Sequence, residues 1–401
     1  MKSPYPPILA AAFALAAILA QHAVAQVNTP PGYDDVAKKS AASLNAERLR
    51  AKGLQSFYPA NQFDLSGLPR YVPQQQVSGK LTIIGNNYIG NGRIAEWWKD
   101  EFIRFHPGIS IEYDLPTAAI AHAALIYSDA DVVMGHLPLF YDMLGFQRKF
   151  GYDPLDVMVL TGSLNVSGWG NAMVIQVNKA NPVSKITLQQ LDGVFGSKRA
   201  GGWVGTTWHP EPPYSRGADK NIRTWGQLGL TGEWADKTIN PYGFSLRYNT
   251  SGFFADAFLY SSDKWNENLL AFGNYVRADG TIYGEQDQIN DILMKDRYGI
   301  SCNLYRDDSD NKVKTLAVAR DDKSPYYLPT LDTRHNLTYP IQNHYWWYVN
   351  IKPGDKLQPK VKEFIRYTLS REGQDVIQRD GKYVPLPAEK VREELAKLDS
   401  R

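Results

Sequence analysis

From residue 81 onward, short apolar runs alternate with segments of helical period, and each run stops at glycine or polar residues. Leu81-Thr82-Ile83-Ile84-Gly85 predicts a strand, and Asn86 to Gly90 a turn. Residues 93–105 place Ile94, Trp97, Trp98, Phe102 and Phe105 at helical spacing, and His106-Pro107-Gly108 ends that helix. Ile109-Ser110-Ile111-Glu112-Tyr113 predicts a second strand. Thr117 then caps an alanine-rich helix over 118–127, and Asp131-Val132-Val133-Met134-Gly135 predicts a third strand. Such alternation points to an α/β fold with a parallel sheet, whose ligand loops sit at the carboxyl ends of strands. Three such ends are visible: Asn87-Tyr88, Thr117 and His136.

The centre of the chain starts a new series. A strand is expected over 171–178, a helix over 188–195, and loop over 203–225. Helices are expected around 265–275 and 286–295, followed by the strand Tyr298-Gly299-Ile300-Ser301. The run His344-Tyr345-Trp346-Trp347-Tyr348-Val349-Asn350 predicts a buried return strand, and 357–369 an amphipathic helix. These shifts predict two lobes, 81–170 with 325–401, and 171–324. Ahead of them, Lys2, the apolar run 8–20 and Ala23-Val24-Ala25 predict a signal peptide over 1–25, and hence a secreted product. Residues 26–80 predict an extension that wraps the surface, with one short helix within 34–52.

The stretch Phe244-Ser245-Leu246-Arg247-Tyr248-Asn249-Thr250-Ser251-Gly252-Phe253-Phe254 combines strand, polar turn and helix start. Thr250 or Ser251 is the expected N-cap, and Gly252 would leave backbone N–H groups uncovered. A helix N-terminus offers free donors and partial positive charge, and Arg247 beside it offers a planar fork, so the stretch suits an anion. A plain capped helix with a surface arginine would show the same pattern. A formal net charge of +2 over 401 residues argues against polyanion binding, so no nucleic acid is expected. Ten tryptophans and 24 tyrosines must fill cores or interfaces, and some could line a cleft. The single cysteine, Cys302, has no internal partner and is expected to be buried. Hydrolase, metalloprotease and nucleotide-loop motifs are missing, and the seven histidines lack metal-ligand spacing, so neither metal nor cofactor is expected.

Several segments together resemble the phosphate-binding proteins of bacterial ABC transporters, within the type 2 periplasmic binding proteins. Ile186-Thr187-Leu188-Gln189-Gln190-Leu191-Asp192-Gly193-Val194-Phe195-Gly196 resembles the family's helix entering the second domain. Arg247-x-x-x-Ser251-Gly252 resembles its anion-binding R-x-x-x-S-G-T, and Tyr298-Gly299-Ile300 one of its strands. The stretch from Val361 to Gln374 resembles its C-terminal helix, and Tyr383-Val384-Pro385-Leu386-Pro387 its end. The resemblance implies a two-lobed fold closing on a ligand between the lobes. It also implies a periplasmic, non-enzymatic protein that hands an oxyanion, phosphate first, to a membrane permease, and a monomer is expected. Family binding positions fall on Asn87, Tyr88, Thr117, His136, Arg247, Ser251, Gly252 and Phe253. Two of these depart from the family pattern: His136 stands for an aspartate and Phe253 for a threonine. Another solute for the same fold, or a secreted hydrolase, are the alternative functions. With an ordinary pKa of about 6.5, His136 would tighten oxyanion binding as pH falls from about 8 to about 5.5.

Overall fold

The computed structural model describes residues 51–306 and 312–399. The expected signal peptide, and the expected extension up to residue 50, lie outside the described residues. Residues 51–275 and 283–399 belong to one compact unit, and Val276–Ile282 groups apart from it. That short segment is a turn, with the Arg277 N–H donating to the Thr281 carbonyl at 2.8 Å.

The first half of the chain runs β1 (Ser78–Gly85), α1 (Asn87–Asn91), α2 (Ile94–Phe105), β2 (Gly108–Asp114), α3 (Ala121–Tyr127), β3 (Val132–Gly135), α4 (Phe140–Phe150) and β4 (Leu155–Thr161). The second series runs β5 (Met173–Asn178), α5 (Leu188–Phe195), β6 (Gly202–Val204), β7 (Thr207–His209), β8 (Asn240–Phe244), α6 (Asn249–Leu259), β9 (Leu270–Phe272), α7 (Glu285–Leu293), β10 (Gly299–Leu304) and β11 (Val313–Thr315). The chain then returns through α8 (Leu331–His335), β12 (His344–Val349), α9 (Pro359–Leu369), α10 (Arg371–Asp380) and α11 (Ala388–Asp399).

Two five-stranded sheets result, ordered β2-β1-β3-β12-β4 and β9-β8-β10-β5-β11. β1 runs parallel to both β2 and β3, as the strand-helix alternation requires. β12 is antiparallel to β3 and β4, because the chain re-enters the first sheet from the second. Each sheet has its own core. Leu81, Trp98, Phe102, Val133, Trp347 and Phe364 are buried in the first, and Ile175, Phe195, Phe254, Phe258, Ile300 and Cys302 in the second. This is an α/β architecture of two lobes. Tyr345, Trp346, Trp347 and Tyr348 form a buried strand, and Cys302 is a buried free thiol, both as expected. Burial pushes the Cys302 thiol well above its ordinary pKa.

One element differs in kind. The helix expected over 265–275 is absent, and Leu270–Phe272 instead pairs parallel to β8 as an outer strand. The reason lies in Asn266. Its amide donates to the Val194 carbonyl at 2.6 Å, while its Oδ1 accepts from the Asn268 N–H at 2.9 Å. Both bonds hold the backbone in a turn that competes with a helix.

The arm over 51–77 does more than wrap a surface. Tyr58, Phe63, Leu65, Leu68, Tyr71 and Val77 are buried in the first core. Tyr71 donates from its hydroxyl to Glu363 Oε2 at 2.7 Å and meets His106 Nε2 at 2.6 Å. Lys382, with no exposed side chain, donates to the Gly53 and Gln55 carbonyls at 2.8 and 2.9 Å and to Asp380 Oδ1 at 2.9 Å. This lysine ties the arm to the first lobe. Lys382→Met should cost about 3–5 kcal/mol in chemical denaturation, because Asp380 is left buried and unpaired. Lys382→Met with Asp380→Asn should recover part of that loss. A single variant as stable as wild type would refute the anchor.

Candidate functional site

The candidate residues lie on loops that leave the ends of β1, β2 and β3 in the first lobe and β8 in the second. β1 ends at Gly85, whose φ is +136° and whose Cβ, if present, would lie 2.1 Å from the Met134 carbonyl oxygen. Only glycine allows this close approach of β1 to β3. Asn86 follows, fully buried, and caps α1: its Oδ1 accepts from the Tyr88 N–H at 2.9 Å, and its amide donates to the Tyr383 hydroxyl at 3.1 Å. Asn87 is half-buried and makes no side-chain hydrogen bond among the described residues. Beside the candidate Asn87, the polar residue that shapes this loop is Asn86. The signal was available, since asparagine two residues before the Tyr88 amide is a capping pattern. Tyr88 packs its ring 5.1 Å from that of Trp169, and burial raises its phenol pKa. Thr117 caps the turn 118–120 by accepting from the Ala119 N–H at 3.3 Å.

His136 follows directly on β3. Its ring lies 4.6 Å from the Tyr345 ring and 5.4 Å from that of Phe253, so the two lobes meet across it. Its backbone carbonyl accepts from the Tyr348 hydroxyl at 2.8 Å. Its Nδ1 is buried without a hydrogen-bond partner. Burial, with a smaller contribution from His122, pushes the His136 pKa down to about 4. The imidazole is therefore neutral throughout pH 5.5 to 8. The expected histidine-driven tightening of binding across that range is corrected: apolar rings on both sides remove the solvation a cation would need.

The second-lobe stretch also differs in detail. β8 stops at Phe244, and α6 takes Tyr248 as its N-cap residue, without a side-chain cap bond. The helix thus opens earlier than Thr250 or Ser251 would set it. Ser251 is buried in its first turn, and its hydroxyl donates to the Tyr248 and Ser245 carbonyls at 2.7 and 3.2 Å. That hydroxyl closes the turn instead of capping the helix. No backbone acceptor among the described residues takes the Asn249 or Thr250 N–H. Arg247 is exposed, and its guanidinium has no ion pair or hydrogen bond among the described residues. At Gly252 a Cβ would lie 2.8 Å from Leu139, so glycine here lets the first turn of α6 approach the segment between β3 and α4.

A cavity of about 390 Å³ adjoins this turn. Ser251, Gly252 and Leu246 form one wall, and Leu139, Phe140 and Tyr141 another. Trp203 and Trp208, on the β6–β7 hairpin, line it as well. Phe140 stacks on Trp203 at 4.2 Å, and the Thr206 hydroxyl donates to Gln147 Oε1 at 2.7 Å. This hairpin lies where the sequence suggested only loop. Gly205 between Thr206-Thr207-Trp208 and Gly202-Trp203-Val204, with φ +57°, was the turn signal. Among the described residues no cluster of histidine, cysteine or carboxylate side chains could hold a metal, and no helix is long and apolar enough to cross a membrane. Asp131 accepts from the Thr82 N–H at 2.9 Å and pairs with Lys360, a structural role.

No family model matches the chain. The chain is homologous to the phosphate-binding protein PstS of Pseudomonas aeruginosa, with 29% identity over 331 residues, 82% of this chain and 90% of that protein. It is 24% identical over 298 residues to the protein SphX of Synechococcus elongatus, 74% of each chain. An ABC-type phosphate transport receptor from Vibrio cholerae has a similar solved structure, with a TM-score of 0.47 and 17% identity over 77% of this chain and all of that one.

Burial lowers the pKa of His106, His122, His136, His335 and His344, so stability should depend on pH, most through the last and the third of these. Burial pushes His344 down to about 3, with Arg334 adding to it, beside His136 at about 4. Their folded pKa values lie below the unfolded value of about 6.5, so the unfolded chain binds more protons between these limits. Stability should therefore be full above about pH 6.5 and fall steadily toward pH 4. Denaturation midpoints measured from pH 7.5 to 4.5 check this, and His136→Gln should flatten part of the slope. A midpoint that holds constant over the range contradicts the burial argument.

Proposed function

We propose, from the homology of this chain to the phosphate-binding protein PstS, that it binds an oxyanion, phosphate first, between its two lobes. It works in the periplasm as a monomer that passes the ligand to the membrane permease of an ABC transporter, without catalysing a reaction. The observation that carries the reading is the opening of α6: free Asn249 and Thr250 amides, with the unpaired Arg247 guanidinium just before them. Unpaired donors and a helix dipole at one point favour an anion. Arg247, Ser251, Gly252 and Phe253 supply the second-lobe side, and Asn87, Tyr88, Thr117 and His136 the first-lobe side. The two lobes are 81–170 with 325–401, and 171–324, a division supported by the separate cores.

Neutral His136 suits this role. A neutral imidazole carries one acceptor nitrogen and one donor. It can accept from the O–H of hydrogen phosphate, the bond that the aspartate of the resembled family makes. Sulfate has no proton to offer and leaves that nitrogen unpaired, so selection for phosphate survives the replacement. Recognition proceeds by closure of the lobes on the ligand, which shifts an open population to a closed one.

Calorimetry with inorganic phosphate tests the anchor. Arg247→Ala should weaken binding by about 2 kcal/mol or more, roughly 30-fold, because a charge-assisted contact is truncated. Arg247→Lys should keep the charge, lose the fork geometry, and fall between the two. Equal affinity in wild type and both variants rejects the site.

A further inference from the structure

The cavity beside α6 is out of scale with inorganic phosphate. Its volume of about 390 Å³ falls within the range of about 300–1,000 Å³ typical of sites for small organic molecules. A phosphate, with five heavy atoms, would occupy one corner. The lining is also wrong for a bare anion. Arg199 borders the cavity, but four of its five guanidinium N–H donors go to both Asp192 carboxylate oxygens and to the Tyr214 and Pro213 carbonyls, which leaves a single Nη1 N–H. The Ser251 hydroxyl is directed to backbone carbonyls. Lys264 also borders the cavity, paired with Asp263 at 2.9 Å, and aromatic faces make up much of the rest. Phe140 and Trp203 stack at 4.2 Å, and Trp208 meets Trp203 edge-on at 5.0 Å. Tyr141 and Trp208 stay exposed, at 71% and 44%. Exposed aromatic rings around a concavity are surface that a flat apolar group would cover.

The polar end and the aromatic end adjoin. Leu246, Ser251 and Gly252 line the cavity, and Arg247 with the free Asn249 and Thr250 amides belongs to the same turn. We propose that the ligand is an organic phosphate monoester with a flat aromatic substituent, the phosphate held at the opening of α6 and the ring in the cavity under the β6–β7 hairpin. This rests on the oxyanion reading above and names its substrate class. A monoester retains two ionisable oxygens for the amides and Arg247, while the ester oxygen directs the ring away from them. Phe253, in place of a threonine hydroxyl, adds apolar surface to the same helix turn and presses on neutral His136 at 5.4 Å.

The test is calorimetry with phenyl phosphate, methyl phosphate and inorganic phosphate on the full-length mature protein. Phenyl phosphate is expected to bind at least tenfold tighter than the other two. Trp208→Ala and Phe140→Ala should each remove most of that advantage and leave inorganic phosphate affinity unchanged. Trp208 is the safer variant for folding, since its ring is partly exposed, and circular dichroism checks both. Phosphate binding that depends on Arg247, with no gain for phenyl phosphate, overturns this proposal and leaves the oxyanion reading intact. A gain that persists in both variants also overturns it, since the ring then lies elsewhere. Failure of all three ligands to bind overturns the oxyanion reading, and this proposal with it.

Discussion

One buried guanidinium joins the two lobes. Arg334, in α8, is fully buried and donates through Nε and Nη2 to the Gly162 carbonyl at 3.1 and 2.8 Å. Its Nη2 also donates to Asn343 Oδ1 at 2.7 Å. Asn343 in turn donates from its amide to the Asn171 carbonyl at 3.2 Å, and its own carbonyl accepts from the Gly162 N–H at 3.0 Å. Gly162 and Asn171 lie on the segment leaving the first sheet, and Asn343 on the segment returning to it. A single planar fork therefore fixes both crossings. No carboxylate among the described residues pairs with Arg334, its Nη1 lacks a partner, and burial pushes its pKa down to about 10. An unpaired buried charge is expensive. It is offset here by the Gly162 and Asn343 oxygens that accept from it and by the nearby phenols of Tyr58, Tyr339 and Tyr345. A glycine at 162 is needed for the same reason: a Cβ there would lie 2.1 Å from the Gly170 carbonyl oxygen and 3.0 Å from Arg334 Nη2.

From that crossing the site follows outward. Tyr345 of β12 interacts electrostatically with Arg334 of α8, and its ring packs on His136, which faces Phe253 of the other lobe. The chemistry at the centre is mostly neutral. The imidazole of His136 is kept uncharged by burial, and the phenols of Tyr345 and Tyr383 are held protonated by the same cause. Apart from Arg334 at the crossing, positive charge stands at the edge, on Arg247 and the opening of α6. In the proposed site, such a division attracts an anion at the rim and sorts it by hydrogen bonding inside, where each unpaired group costs more than in water.

The lobes were legible because they are written in short range. Period-two runs such as Leu81-Thr82-Ile83 and helical spacing such as Trp98 and Phe102 depend on local burial alone, and they place β1 and α2 within a few residues of expectation. The candidate residues were legible only as positions. Which residue caps α6 depends on Ser251 folding back to carbonyls, and the pKa of His136 depends on tertiary burial, with Tyr345 and Phe253, both more than a hundred residues away, packed on its ring. Neither can be read from spacing. The same holds for 265–275, where a tertiary bond from Asn266 to Val194 overrides an apolar run. The arm over 51–77 looked irregular because its buried residues follow no period, and they pack against helices that come three hundred residues later.

The central claim is that an oxyanion sits between the α6 opening and His136. Arsenate tests this most directly, because it copies phosphate in shape and protonation and carries a strong anomalous signal in a crystal. One arsenic peak is expected within hydrogen-bonding distance of the Arg247 guanidinium, the Asn249 or Thr250 amide, and a ring nitrogen of His136. A peak elsewhere, or none at saturating arsenate with His136 still packed on Phe253, would contradict it.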